Sequence, residues 1–210
     1  MIKVLLADDH ALLRGSLKQL LEDTGFIEVV AQAGDYPEIM KAINSNPAIE
    51  LAILDISMPG KNGVDVVKIL KDKRPELRIL MLSMHPEDQY AVRALKAGAS
   101  GYLTKNTAPE KLVDAIQVIA AGRKYITPEL AESLATHLTD DSDKPLHSTL
   151  SDREFETIRM IASGKKLSEI AEAMALSPKT VSVYRARILE KMKMKTNGEL
   201  TRYALEHRLI

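Results

Sequence analysis

Residues 51–60 read LAILDISMPG, an apolar run that ends in the carboxylate of Asp55 and is followed closely by Pro59 and Gly60. Four to six apolar residues bounded by turn signals are typical of a strand buried on both faces, as in a parallel sheet. An open α/β sheet binds ligands in the crevice beyond the carboxyl ends of its strands. Asp55 is therefore expected at that crevice, although an acid that begins a loop is common and on its own indicates only a turn.

On both sides of this run, apolar strands alternate with amphipathic helices. Predicted strands cover residues 2–7, 27–31, 51–54, 79–83 and 100–104, and predicted helices cover 10–22, 35–44, 63–73, 86–97 and 109–121. Five alternations with short links predict a parallel sheet with right-handed crossovers. The predicted fold is a doubly wound, five-stranded α/β domain of about 120 residues.

The length and composition of the chain restrict the possible classes of protein. A chain of 210 residues can form one large or two small domains, and the absence of Cys excludes disulfides and thiolate metal sites. No segment approaches membrane-spanning length, and the N-terminal apolar run is too short for a signal peptide. We expect a cytoplasmic protein without a membrane partner.

The net charge of zero hides an asymmetry between the two ends of the chain. Residues 147–210 hold 12 Lys+Arg and 8 Asp+Glu, a net charge of +4, which leaves −4 for residues 1–146. An acidic first part and a basic last part indicate two tasks, the second of them on a polyanion.

Polar side chains follow four of the predicted strands, namely Asp8 and Asp9, Asp55, Ser83, and Lys105. Singly, each fits a solvated strand end, but their recurrence at converging strand ends favours a joint role. Three carboxylates in one crevice require a cation, and all-oxygen ligands indicate Mg²⁺. A carboxylate beside Mg²⁺ can accept a phosphoryl group, whose oxygens a lysine and a hydroxyl would contact.

Residues 1–122 resemble a response-regulator receiver domain in the motifs LLADDH, LAILDISMPGKNG, ILMLS and AGASGYLTK. The resemblance implies that Asp55 is the phosphoacceptor, that Asp9 binds Mg²⁺ directly, and that Asp8 acts through water. It also implies that the backbone carbonyl of Ser57 is a further Mg²⁺ ligand.

The same resemblance assigns three more roles. Ser83 matches the switch hydroxyl, Tyr102 the switch aromatic residue, and Lys105 the phosphate-contacting lysine. Asn106 follows this lysine, where many receivers have Pro.

Residues 123–147 are predicted to be a linker. Residues 125–138 have the apolar spacing of a short amphipathic helix, and the polar residues 139–148 predict a flexible joint. His137 and His147 are interpreted as surface residues, because no second ligand lies at a metal-site spacing.

Residues 148–210 are predicted to form a small domain of four helices, the first with a capping box of Ser151 and Glu154. Two of the helices are joined by the tight turn Leu176-Ser177-Pro178, and the second of them is basic, which is the helix-turn-helix pattern. Its predicted buried stripe is Val181, Tyr184, Ile188 and Met192.

This segment, LSDREFETIRMIASGKKLSEIAEAMALSPKTVSVYRARILEKMKM, resembles the LuxR-type DNA-binding domain. The resemblance places Ser182, Val183 and Ala186 at base-facing positions. It implies DNA-backbone contacts for Lys179, Thr180, Arg185, Arg187 and Lys191. A receiver followed by this domain is the arrangement of the NarL/FixJ family.

The leading interpretation is a two-component response regulator that controls transcription and is no enzyme on an external substrate. A sensor histidine kinase or a small phosphodonor would phosphorylate Asp55, and the phosphorylated protein would bind double-stranded DNA as a homodimer. Two alternatives remain open. One is a phosphorylation-responsive adaptor that binds another protein, and the other is a Mg²⁺-dependent phosphatase with an aspartyl nucleophile, which would typically carry a second acid where Ser57 stands.

Overall fold

The structure is a computed structural model that describes residues 1–56, 58, 61–84, 87–139, 145–207 and 209–210. The chain divides into two compact units, Met1–Thr136 and His137–Ile210. In the described part of the chain, no helix is both long and apolar enough to cross a membrane.

The first unit is built on a sheet of five parallel strands in the spatial order β2-β1-β3-β4-β5. The strands are β1 (Ile2–Ala7), β2 (Ile27–Ala33), β3 (Leu51–Asp55), β4 (Arg78–Ser83) and β5 (Gly101–Thr104). The central strand is β3, and all five of its residues are buried. The fold class predicted from the sequence is confirmed.

One helix follows each strand. These helices are α1 (Ala11–Glu22), α2 (Tyr36–Ser45), α3 (Gly63–Lys73), α4 (Glu87–Lys96) and α5 (Pro109–Ala120). Side-chain caps define two of the starts: Asp35 accepts a hydrogen bond of 2.9 Å from the Glu38 N–H, and Asn62 accepts one of 2.9 Å from the Val64 N–H. Strand β2 runs two residues beyond its predicted end, because it stays paired with β1 as far as Ala33.

An apolar core on one side of the sheet joins β1, β3 and β4 to α1 and α5. Leu21 from α1 and Ile116 and Ile119 from α5 are fully buried there. Each such side chain contributes about 1.5–3 kcal/mol by leaving water. This packing holds the strands in register, and the register positions their carboxyl ends.

Gly63 at the start of α3 marks a close approach between backbones. A Cβ atom at this position would lie 2.7 Å from Ile56 Cα and 2.8 Å from the carbonyl oxygen of Asp55. The Gly63 N–H also donates to the Ile56 carbonyl at 3.0 Å. Only a residue without a side chain lets α3 begin this close to the end of β3.

The predicted linker differs from the structure in three respects. Helix α6 is Pro128–Thr139, whereas Tyr125 forms an isolated bridge to Gly101 at the edge of the sheet and is not helical. Residues 140–144 of the predicted flexible joint lie outside the described residues, and Leu146–Thr149 form a 3₁₀ helix. His147 is not a plain surface residue, since its Nδ1 lies 3.0 Å from the hydroxyl of Tyr203.

The second unit has the four predicted helices, α7 (Asp152–Ala162), α8 (Leu167–Ala173), α9 (Pro178–Lys191) and α10 (Asn197–Glu206). In the predicted stripe of α9, Val181, Ile188 and Met192 are buried. Tyr184 was predicted to be buried as well, and this was wrong, because it is only half-buried.

Glu154 connects α7 to α9. Its carboxylate accepts a hydrogen bond from the Ser151 N–H at 2.8 Å, which completes the predicted capping box, and it pairs with Lys191 Nζ at 2.6 Å. Burial alone would raise the pKa of this carboxyl group, but the hydrogen bonds from Lys191 and Ser151 outweigh that effect and lower it below the ordinary 4.5.

We expect Gly63→Ala to destabilise the first unit by about 1–3 kcal/mol, because the new methyl group would push against backbone atoms. Gly15→Ala is the matched control, since Gly15 lies within α1 and a Cβ there meets nothing within 4 Å. The control should raise stability by up to about 1 kcal/mol, the difference in helix propensity between Ala and Gly. Urea denaturation of both variants measures the change in the free energy of unfolding. Equal changes in Gly63→Ala and Gly15→Ala would contradict the close approach of the two backbone segments at Gly63.

We expect Glu154→Gln to destabilise the second unit by about 1 kcal/mol at neutral pH, because Gln preserves the capping box but loses the charge that pairs with Lys191. The lowered pKa makes this contribution fully present above pH 4.5 and removes it as the pH falls through the folded-state pKa. Urea unfolding followed by the NMR methyl signals of Ile158 and Ile188 measures it. A difference in unfolding free energy between wild type and Glu154→Gln that persists at strongly acidic pH would show that it does not come from the charge of Glu154.

Candidate functional site

The carboxyl ends of the parallel strands bring four potential ligand groups together. Asp8 follows β1 and Asp55 ends β3, and only 1% and 2% of their surfaces are exposed. The register pairs Ala7 with Leu54, so these two acids occupy equivalent positions on neighbouring strands. One ligand atom from each of Asp8, Asp9, His10 and Asp55 lies within 4.8 Å of the others.

Lys105 lies between the two buried acids. Its ammonium nitrogen is 2.7 Å from Asp8 Oδ2 and 2.8 Å from Asp55 Oδ2, and only 4% of its side chain is exposed. Its backbone N–H donates to the Ser83 carbonyl at 2.7 Å, which fixes the lysine at the end of β5. Burial lowers the pKa of Lys105, but the hydrogen bonds and charges of Asp55 and Asp8 outweigh this and leave the pKa raised. The ammonium is therefore held charged.

The charges and donor atoms of this cluster fit a divalent cation. With the carboxylates of Asp8, Asp9 and Asp55 ionised, the ammonium of Lys105 leaves a net charge of −2. Carboxylate oxygens are the ligands that hard cations such as Mg²⁺ prefer. Ser57, whose carbonyl was predicted to be a further ligand, lies outside the described residues.

Ser83 lies on β4, the strand next to Asp55, and Tyr102 lies one strand further away, on β5. Asp55 pairs with Leu82, so Ser83 is one position beyond the acid on β4, and its side chain is fully buried. Tyr102 pairs with Met81 across β4 and β5 and is fully buried as well. The bond between Lys105 and Asn106 is trans, as are all the peptide bonds that the structure describes.

Two residues beside the acids were missed at the level of sequence. His10 Nδ1 lies 2.8 Å from Asp9 Oδ1 and 3.3 Å from Asp8 Oδ1. Arg14, one helical turn further along α1, donates a hydrogen bond from Nη1 to the carbonyl oxygen of Asp8. The signal that could have indicated them is their position directly after the acidic pair, at the start of an amphipathic helix.

In the second unit, α8 and α9 are joined by a turn in which Ala175 has a φ of +53°. The Leu176 N–H donates to the Ala171 carbonyl at 2.8 Å, which closes the end of α8. The Ser177 hydroxyl caps α9 by accepting from the Thr180 N–H at 3.1 Å, and Pro178 occupies the first helical position.

The predicted DNA contacts differ in their surroundings. Side chains at the base-facing positions and at two of the basic positions are exposed, namely Ser182, Val183, Ala186, Lys179 and Arg187, whereas Thr180 is half-buried. Arg185 is half-buried and its Nε donates to Asn197 Oδ1 at 2.6 Å. Lys191 pairs with Glu154, although 40% of its side chain is exposed. The Thr180 hydroxyl also lies 2.8 Å from the Ser177 hydroxyl, so three of the five predicted DNA-backbone contacts are already engaged inside the unit.

Comparison with known families assigns both units. Residues 4–117 match the response regulator receiver domain, and residues 148–204 match the bacterial regulatory proteins of the luxR family. The chain is 36% identical over 210 residues to the response regulator UvrY of Escherichia coli (strain K12), with 100% of this chain and 96% of UvrY covered. It is 35% identical over 212 residues to the response regulator GacA of Pseudomonas aeruginosa, with 100% and 98% covered.

A solved structure shows the same pair of folds. RcsB from Salmonella enterica serovar Typhimurium, bound to promoter P1flhDC in the presence of the phosphomimetic BeF3⁻, matches with a TM-score of 0.61 and 25% identity. The match covers 96% of this chain and 97% of that one. From the two family matches and the full-length relatives, it follows that this chain belongs to the NarL/FixJ family of two-component response regulators and is a DNA-binding transcriptional regulator.

Proposed function

We propose that Asp55 is the phosphoacceptor of this regulator. The observation that carries the proposal is the position of its carboxylate, buried at the end of the central strand and 2.8 Å from the ammonium of Lys105. The phosphodonor is a sensor histidine kinase or a small acyl phosphate. In the transfer, an Asp55 oxygen forms a bond to phosphorus while the bond from phosphorus to the donor's nitrogen or oxygen breaks.

The surrounding residues neutralise charge and position the reacting groups. Lys105 would contact the phosphoryl oxygens, and Asp9, Asp55 and the carbonyl of Ser57 would hold Mg²⁺, with Asp8 acting through water. Bound Mg²⁺ would supply positive charge to the phosphoryl oxygens. In the unphosphorylated protein, the ammonium of Lys105 pairs with both buried acids and so offsets the repulsion between them.

Ser83 and Tyr102 transmit the modification. A phosphoryl group on Asp55 adds negative charge where Lys105 now balances two acids. The Ser83 hydroxyl donates to the phosphoryl group, and the resulting movement of β4 changes the packing of Tyr102. The protein later hydrolyses its own aspartyl phosphate, which returns the switch to its initial state.

The output is DNA binding through α9. Ser182, Val183 and Ala186 face the bases, and Lys179, Thr180, Arg185, Arg187 and Lys191 contact the DNA backbone. Phosphorylation promotes a homodimer whose two recognition helices meet paired half-sites. Residues 1–122 and 148–210 are the functional domains in this scheme, and residues 123–147 are the linker.

We expect Asp55→Ala to abolish phosphoryl incorporation from acetyl phosphate and Mg²⁺, because the variant has no acceptor oxygen at this position. Asp65→Asn is the control, since Asp65 lies on α3, pairs with Lys68 at 3.6 Å and has a side chain that is 40% exposed. Intact-mass spectrometry of each full-length protein measures the incorporation. Incorporation in Asp55→Ala equal to that in wild type would show that another residue accepts the phosphoryl group.

We expect the logarithm of the DNA-binding constant to fall linearly with the logarithm of the salt concentration, because phosphate contacts release counterions. Lys179→Ala and Arg187→Ala should each reduce this slope by about 1, and Val183→Ala should alter base preference without changing the slope. Lys111→Ala, an exposed lysine of α5, is the control and should change neither. Fluorescence anisotropy with labelled duplexes, with and without acetyl phosphate, measures both the salt slope and the base preference.

The same experiment tests the rival interpretation of the second unit. Unchanged slopes in both α9 variants would show that this helix does not contact DNA and would favour the adaptor. Equal DNA affinity with and without phosphorylation would separate the two activities and contradict the proposed coupling.

A further inference from the structure

His10 occupies the N-cap position of α1 but does not cap the helix. Ser, Thr, Asp and Asn are preferred at this position, because their side chains accept a hydrogen bond from a free N–H of the first turn. The side chain of His10 makes no such bond, and its Nδ1 lies instead 2.8 Å from Asp9 Oδ1. The residue that starts α1 thus presents its imidazole to the acidic cluster.

The positions of these atoms match those of ligands around one cation. Nδ1 of His10 lies 2.8 Å from the oxygen of Asp9 and 3.3 Å from the oxygen of Asp8. Two ligands at right angles, each about 2.1 Å from a metal ion, lie about 3 Å from each other. The His10 N–H of the backbone also donates to Asp8 Oδ1 at 2.8 Å, which fixes the loop that carries all three residues.

An imidazole nitrogen changes which metal ions a carboxylate site prefers. Mg²⁺ takes oxygen ligands and keeps several waters, whereas Fe²⁺, Ni²⁺ and Zn²⁺ also bind imidazole strongly. His10 is 67% exposed at its side chain, so an ion can approach its ring from solvent. Lys105 faces the opposite oxygens, Asp8 Oδ2 and Asp55 Oδ2, and leaves this side of the cluster accessible.

We propose that His10 Nδ1 is an additional protein ligand when the cluster of Asp8, Asp9 and Asp55 binds a first-row transition-metal ion. The site then binds ions of the Ni²⁺ and Zn²⁺ type far more tightly than an all-oxygen receiver site does. This inference rests on the proposed metal site. It makes His10 the residue that determines metal selectivity, so the regulator is loaded with whichever of these ions is available beside Mg²⁺.

A direct test is a Zn²⁺ titration of the full-length protein labelled with ¹⁵N at histidine, at one fixed, mildly alkaline pH. Zn²⁺ is diamagnetic, and its coordination shifts the resonance of the nitrogen that binds it. We expect the His10 Nδ1 resonance to shift in proportion to Zn²⁺ occupancy. A resonance that keeps its position while Zn²⁺ binds to the cluster would overturn the proposal.

Calorimetry supplies the second readout, the ratio of Ni²⁺ affinity to Mg²⁺ affinity. We expect His10→Ala and His10→Asn to reduce this ratio by about tenfold or more, the size of effect that residues supporting a metal site produce. His10→Asn keeps a side chain suited to the N-cap, so a loss in both variants does not come from fraying of α1. His207→Ala, which removes an exposed histidine of the second unit, should leave the ratio unchanged.

A variant of one acidic ligand separates a failure of this inference from a failure of the proposed metal site on which it rests. Asp9→Ala should weaken the binding of both ions, and Mg²⁺ binding equal to that of wild type would refute the proposed metal site itself. Equal losses of Ni²⁺ and Mg²⁺ affinity in the His10 variants would overturn the inference alone. In that case His10 only orients Asp9 through a hydrogen bond.

Discussion

The first unit depends on one electrostatic arrangement, the ammonium of Lys105 between the carboxylates of Asp8 and Asp55. Two carboxylates that are 98% or more withdrawn from solvent carry a large desolvation cost, and they also repel each other. A buried ammonium alone would carry a similar cost. Together the three groups stabilise one another and still leave negative charge for a cation.

This arrangement exists only when the sheet is complete. Asp8 follows β1, Asp55 ends β3, and Lys105 follows β5, so three strands from distant parts of the chain each provide one charge. The pairing of Ser83 with Thr104 and the bond from the Lys105 N–H to the Ser83 carbonyl bring the lysine to the same edge as the acids. A slip of one residue in any of these pairings would turn a charge toward the wrong face.

The second unit uses a similar device at a helix. Glu154 completes a cap at the start of α7 and pairs with Lys191 at the end of α9, so the orientation of α9 is tied to the first helix of the unit. Arg185 is tied to Asn197 in the same way. Under the proposed function, the contacts with Glu154 and Asn197 hold Lys191 and Arg185 in position before DNA binds. Contacts with DNA phosphates then replace part of these contacts within the protein.

The sequence by itself determined the order and nature of the elements. Apolar runs such as residues 51–54 and caps such as Asp35 act locally, so helix ends in the first unit were predicted to within one residue. The alternation of strands and helices also predicted that Asp8, Asp55 and Lys105 would meet, because parallel strands end at a common edge.

Only the tertiary structure decided which partner each side chain takes. The bridge from Tyr125 to Gly101, the half-burial of Tyr184 and the pairing of Lys191 with Glu154 depend on distances between elements. No local pattern encodes those distances, since they follow from how whole faces pack. His10 illustrates the difference. The sequence placed it next to two acids, but whether its ring caps α1 or turns to Asp9 was decided by the loop between β1 and α1.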